Sequence, residues 1–161
     1  MRKICLFEDY SSSGFLPLTY FRTIDELQSG IGSLGNRITR FFPRISCEIL
    51  PRQSLTEFIQ SQRQCLRKPF AQTLFINARV QFTALLYRAI QKEIIHNTIF
   101  ISGENIIAAY CADEPSLKFP EILQKLPFKK KNYSDYKVVE IDALFYSYLW
   151  DLIHTNHSAL T

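Results

Sequence analysis

The chain has 161 residues, of which 47% are apolar, with 13 Phe and 8 Tyr, and 21% are charged; this is enough apolar surface for one buried core, and the balance excludes wholesale disorder and a coiled coil. Its net charge of +4 comes from basic residues spread along the chain apart from Lys129, Lys130 and Lys131, so no stripe points to nucleic acid, whereas a phosphorylated small molecule suits the excess. Cys5, Cys47, Cys65 and Cys111 lie far apart with no Cys-x-x-Cys pair, which excludes a short disulfide framework and fits a reducing, cytoplasmic setting.

Arg2-Lys3 resembles the start of a signal peptide, but Glu8 and Asp9 break the apolar run before an h-region can form. Ile4-Cys5-Leu6-Phe7 reads as a buried strand that runs into the polar loop Glu8-Asp9-Tyr10-Ser11-Ser12-Ser13-Gly14. Ligands of parallel sheets gather beyond the carboxyl ends of the strands, so Glu8, Asp9 and this loop fall where chemistry is usually placed. Thr23-Ile24-Asp25-Glu26 matches a capping box and predicts a helical turn. Gly30, Gly32 and Gly35 each cost about 1 kcal/mol inside a helix, which predicts a break near residues 29–32. Ser33 then caps a second helix through about Phe42, with Leu34, Ile38 and Phe41 facing inward.

Residues 45–50 and 73–77 read as strands, and residues 55–66 and 83–95 as helices. This alternation predicts parallel β-α-β units. Two apolar runs, residues 98–101 and 106–110, are joined by Ser102-Gly103-Glu104-Asn105 and predict an antiparallel hairpin. A helix over residues 115–126, a loop over 129–135, a further apolar run at 137–141 and a last helix over 143–154 complete the chain. Residues 138–153 are too rich in acid (Glu140, Asp142, Asp151) for a bilayer centre. The expectation is a single α/β domain with a Rossmann-like, mostly parallel sheet flanked by helices and one antiparallel hairpin.

Several motifs carry little chemistry. Gly30-Ile31-Gly32-Ser33-Leu34-Gly35 satisfies the dinucleotide pattern G-x-G-x-x-G, but that pattern belongs directly after a strand, and here it follows Asp25-Glu26-Leu27-Gln28-Ser29. Its glycines read as a helix break and a close packing point. His154 and His157 share a helical face without a third ligand for zinc. Ser33 has Ile31 where a nucleophile elbow needs glycine, no Walker pattern is present, and the lysines at 129–131 read as a solvated loop.

One family resemblance gathers the remaining residues. Leu6-Phe7-Glu8-Asp9, Leu16-Pro17-Leu18-Thr19, Arg22, Glu26-Leu27, Gly30 and Leu34 form its opening block, and Trp150-Asp151-Leu152 with Asn156 and Ala159-Leu160 its ending. Between them lie Leu74-Phe75-Ile76-Asn77 and Gly103 followed by Ile107-Ala108-Ala109. The chain resembles sugar nucleotidyltransferases related to bifunctional UDP-N-acetylglucosamine pyrophosphorylase/glucosamine-1-phosphate acetyltransferases. That resemblance implies a nucleotidyltransferase fold over residues 1–161, with the β-helical acyltransferase domain absent and a partner chain in its place. It implies a cytoplasmic role in cell envelope precursor synthesis. It further implies attack of a sugar 1-phosphate on the α-phosphate of a nucleoside triphosphate, with Mg²⁺ and release of pyrophosphate. Such chemistry rests on positioning and charge neutralisation. By the resemblance, Arg22 is the catalytic, phosphate-contacting cation. Glu8, Asp9, Gly14 and Gly30 line the nucleotide, and Asp9 is the metal ligand.

Four departures qualify that reaction, the first being the loop Glu8-Asp9-Tyr10-Ser11-Ser12-Ser13-Gly14 where such enzymes have a glycine-rich loop ending in arginine. The third strand ends Asn77-Ala78-Arg79 without the family's aspartate, residue 28 is Gln in place of arginine, and residue 23 is Thr in place of proline. A Mg²⁺ site without that carboxylate is poorly charged. The expectation is therefore weak or partner-dependent nucleotidyl transfer. The alternative is a non-catalytic module that binds a nucleotide or a protein, and a dinucleotide-dependent oxidoreductase comes third.

Overall fold

The computed structural model describes residues 1–125 and 127–154. Its strands are β1 (Lys3–Phe7), β2 (Gln28–Ser29), β3 (Gly32–Ser33), β4 (Ser46–Leu50), β5 (Thr73–Asn77), β6 (Thr98–Ser102), β7 (Asn105–Cys111) and β8 (Lys137–Glu140). Its α-helices are α1 (Leu34–Thr39), α2 (Thr56–Gln60), α3 (Ala84–Glu93), α4 (Phe119–Lys125) and α5 (Leu149–His154). Six strands form one sheet in the order β4-β1-β5-β7-β6-β8, and β2 pairs with β3 apart from it. β7 alone runs antiparallel to its neighbours β5 and β6; the β1–β4, β1–β5 and β6–β8 pairs are parallel.

Alternation along the strands builds two cores. Ile4 and Leu6 of β1 pack with Leu74 and Ile76 of β5, Ile38 of α1 and Leu86 and Ile90 of α3. Cys5, Phe7 and Phe75 point the other way, onto Phe119 and Leu123 of α4. Burying whole apolar side chains on both faces, at ~1.5–3 kcal/mol each, is the main force holding the layers. A third cluster, Phe15, Ile24, Leu27, Leu34, Ala78, Tyr146 and Leu152, packs loop residues with α1 and α5.

The expected strands and the hairpin match the observed ones to within a residue or two, and the α/β architecture is as expected. The capping signals also work. Glu26 accepts from the Thr23 N–H at 2.8 Å and Ser33 from Asn36 N–H at 3.1 Å, while Thr83, expected as the first residue of a helix, caps it instead by accepting from Leu86 N–H at 3.2 Å.

Helix lengths differ. The helix expected over 55–66 is only α2, because Arg63 turns to Asp25 (2.6 Å) and Cys65 forms a parallel bridge with Ile49. The helix expected over 34–42 ends at Thr39, and Phe41 and Phe42 close it in tighter turns, donating to the carbonyls three residues back at Ile38 and Thr39. Of the helix expected over 143–154 only α5 forms. Phe145 instead bridges Val80 in antiparallel fashion, with Gln81 N–H donating to Leu144 C=O and Tyr146 N–H to Arg79 C=O. The helix expected over 115–126 starts at Phe119, and Leu126, like His157, Asn156 and Ala159-Leu160, lies outside the described residues. No described helix is long and apolar enough to cross a membrane.

Candidate functional site

The carboxyl ends of β1, β4, β5, β6 and β8 and the amino end of β7 share one edge, because β7 alone is reversed. Polar residues converge there, and they divide it into a sealed half and an open half.

The sealed half follows β1. Glu8, 2% exposed, accepts from Ile24 N–H (2.8 Å), Arg52 N–H (2.9 Å) and the Arg52 guanidinium (3.1 Å). Arg52 also donates to the Thr19 carbonyl. Burial pushes the Glu8 carboxyl above the ordinary glutamate range, against the pull of the Arg52 amide and guanidinium and the Ile24 amide. This carboxylate therefore ties β1 to the loop at Ile24 and to the chain leaving β4.

Asp9, 5% exposed, is held just as closely. One oxygen caps the 3₁₀ turn Tyr10–Phe15 by accepting from Ser11 N–H at 3.1 Å. Arg79 Nε lies 2.9 Å from both carboxylate oxygens, Arg79 Nη2 lies 2.8 Å from Oδ2, and Asn77 Nδ2 donates to Oδ2 at 2.8 Å. Arg79 continues to Asn105 Oδ1 (2.8 Å) and the Tyr146 carbonyl (3.3 Å), beneath the Phe145 ring at 4.8 Å.

Gly14 closes against this half from the other side. A Cβ there would overlap the Ser147 carbonyl oxygen, so only glycine lets the loop after β1 meet the chain before α5. Asp151 fixes that chain by accepting from Ser147 N–H (2.7 Å) and Tyr148 N–H (2.9 Å). Gly30, at φ 69°, turns the β2–β3 hairpin, so the glycine pattern at 30–35 is a hairpin leading into α1 and not a phosphate loop after a sheet strand. Arg22 is exposed and lines a cavity of about 470 Å³ with Phe21, Glu26, Gln28, Ser33 and Asn36; neither Glu8 nor Asp9 lines it.

The donor set does not fit Mg²⁺. The ion needs carboxylates with free lone pairs in octahedral reach. Here Asp9 is committed to Arg79, the end of β5 offers Asn77, and no group of three metal-ligating side chains occurs among the described residues.

The open half lies beyond β5. A cavity of about 400 Å³ is lined by Gln81, Thr83, Leu86, Ser102, Asp142, Ala143 and Leu144. A second, of about 230 Å³, shares Gln81 and Thr83 and extends to Arg37 and Tyr146. Joined at Gln81 and Thr83, they form a groove of mixed polar and apolar lining, with Arg37 on the smaller cavity and Asp142 on the larger. Arg37 is positioned by Tyr146 Oη at 3.1 Å and Ser29 Oγ at 3.4 Å. Sequence reasoning missed Arg37, Gln81, Ser102 and Asp142; for Ser102 and Asp142 the available signal was a polar residue at a strand's carboxyl end.

Fold and edge define an α/β domain of the parallel-sheet class whose polar residues meet where such sheets hold ligands. The profile of a family described as sugar nucleotidyl transferase matches residues 4–161. The chain belongs to that family. Its fold is similar to the crystal structure of a Bacillus anthracis protein provisionally assigned as a glucose-1-phosphate thymidylyltransferase, in complex with sucrose. The TM-score is 0.56 at 9% identity, covering 98% of this chain and 95% of the other. No curated protein matches the sequence.

Proposed function

We propose that this domain binds a sugar 1-phosphate, or the sugar nucleotide made from it, in the groove between Arg37 and Asp142, and that it does not by itself turn the ligand over. One observation carries this reading: along a single sheet edge the groove stays open, while both acids after β1 are already bonded to arginines. Arg37 suits a phosphate, to which a guanidinium donates bidentately. Gln81, Ser102 and Asp142 suit sugar hydroxyls, which both donate and accept. Family membership supports nucleotidyl transfer as the reaction class, and the uncharged end of β5 argues that this chain alone lacks the acids for it.

The resemblance of the opening block makes UTP with N-acetylglucosamine 1-phosphate the first probe pair, and the name of the structural neighbour makes TTP with glucose 1-phosphate the second. The test follows thermal stabilisation and pyrophosphate release together. The expected result is a saturable shift with sugar 1-phosphate or sugar nucleotide, lost in Arg37→Ala and Asp142→Ala, with no pyrophosphate released. Steady turnover by the isolated chain overturns the binding-only reading. A shift that survives both substitutions overturns the groove.

A further inference from the structure

We infer that Arg79 is a built-in cation that takes, at Asp9, the place a divalent metal would need, so that ligand binding along this edge runs without metal. A carboxylate offers roughly four lone-pair positions. At Asp9 all are spoken for: Oδ1 by Ser11 N–H and Arg79 Nε, Oδ2 by Asn77 Nδ2 and Arg79 Nη2. The fork of the guanidinium matches the carboxylate, and one positive charge against one negative leaves no field to draw in a second cation.

The guanidinium is also fixed before any ligand arrives. Asn105 holds Nη2 from the start of β7, the Tyr146 carbonyl holds Nη1, and the Phe145 face covers the plane. Arg79 is 2% exposed, so it is not a phosphate-binding arginine waiting for substrate. Asn77 completes the arrangement, since its amide donates to Asp9 where an aspartate would repel it.

The test uses Mn²⁺ as the probe on the full chain without nucleotide, reading free Mn²⁺ by electron paramagnetic resonance beside circular dichroism. The wild-type chain is expected to leave Mn²⁺ free. The variant Asn77→Asp/Arg79→Met, which sets two carboxylates side by side and removes the guanidinium, is expected to bind one Mn²⁺ at least tenfold more tightly. Two results overturn the inference: wild-type Mn²⁺ binding that disappears in Asp9→Asn, or a folded double variant with no gain. Should the double variant not fold, the wild-type arm still decides. The inference rests on reading this edge as the ligand-binding side of the domain. Mn²⁺ affinity is measured without sugar or nucleotide, so its failure and the failure of the groove are separable. Where a sugar phosphate does stabilise the chain, its shift is expected to be the same in EDTA as in Mg²⁺; a shift that needs Mg²⁺ also overturns the inference.

Discussion

Replacing Arg79 with Met removes a buried cation while keeping a side chain of comparable length. The Arg79 and Asp9 side chains are only 3% and 4% exposed, so solvent screens the pair little. Breaking such a pair by removing one partner costs ~3–5 kcal/mol, because the other charge stays buried without compensation. Asp9 keeps Ser11 N–H and Asn77 Nδ2 as donors, which places the loss near the lower figure, about 3 kcal/mol. For a chain of this size, at ~2–4 °C per kcal/mol, Tm falls by roughly 6–12 °C. Asp9→Asn should cost less, since Arg79 retains Asn105 and the Tyr146 carbonyl. The double variant Asp9→Asn/Arg79→Met should recover part of the loss, because it leaves no charge buried. Urea denaturation of the four proteins at one pH gives the coupling directly, expected at about 2 kcal/mol. Single losses that add to within ~0.5 kcal/mol would refute a pair that acts as a unit.

Gly14→Ala forces a Cβ into the Ser147 carbonyl and should displace the chain between Phe145 and α5, at a cost of about 1–3 kcal/mol. Trp150 is the sole tryptophan and stacks on Tyr148 at 4.6 Å, so its fluorescence should change along with Tm; an unchanged emission spectrum contradicts the contact. Glu8 predicts a pH dependence. Its folded carboxyl is raised by burial, so the native state binds more protons than the unfolded state in the window between the two values, and stability falls as pH rises through it. Denaturation measured in steps upward from pH 4 should show that falling component in the wild-type chain and not in Glu8→Gln; equal slopes dismiss it.

The strands were legible because each is a short apolar run bounded by polar residues, and the caps at Thr23 and Ser33 because their signal is local. Helix lengths were not. The residues that end α2 early, Arg63 and Cys65, leave the helix for Asp25 and Ile49, and no pattern within the segment announces that. The same limit applies to the site. Glu8 and Asp9 could be placed at the carboxyl edge from the strand before them, but Arg52 lies 44 residues from Glu8 and Arg79 lies 70 residues from Asp9. Only the parallel pairing of β1 with β4 and β5 brings them together. Gly30 carried a dinucleotide signature by spacing alone; a two-residue hairpin turn uses the same freedom at φ 69°.

Asn77 and Arg79 make sense only as a set. With aspartate at residue 77 and Arg79 unchanged, two buried carboxylates would face one guanidinium, and the excess negative charge would have to be met by a bound cation or a proton. With Asn77 and a smaller neutral residue at 79, Asp9 would stand alone. The observed combination balances charge with protein groups only, so this half of the edge is stable with nothing bound. The apolar faces that hold the sheet do not depend on how that balance is struck, because Ile4, Leu6, Leu74 and Ile76 pack on one side and Phe7 and Phe75 on the other whatever sits at the edge. The packing of the sheet is therefore independent of what neutralises Asp9, and here the Arg79 guanidinium does so.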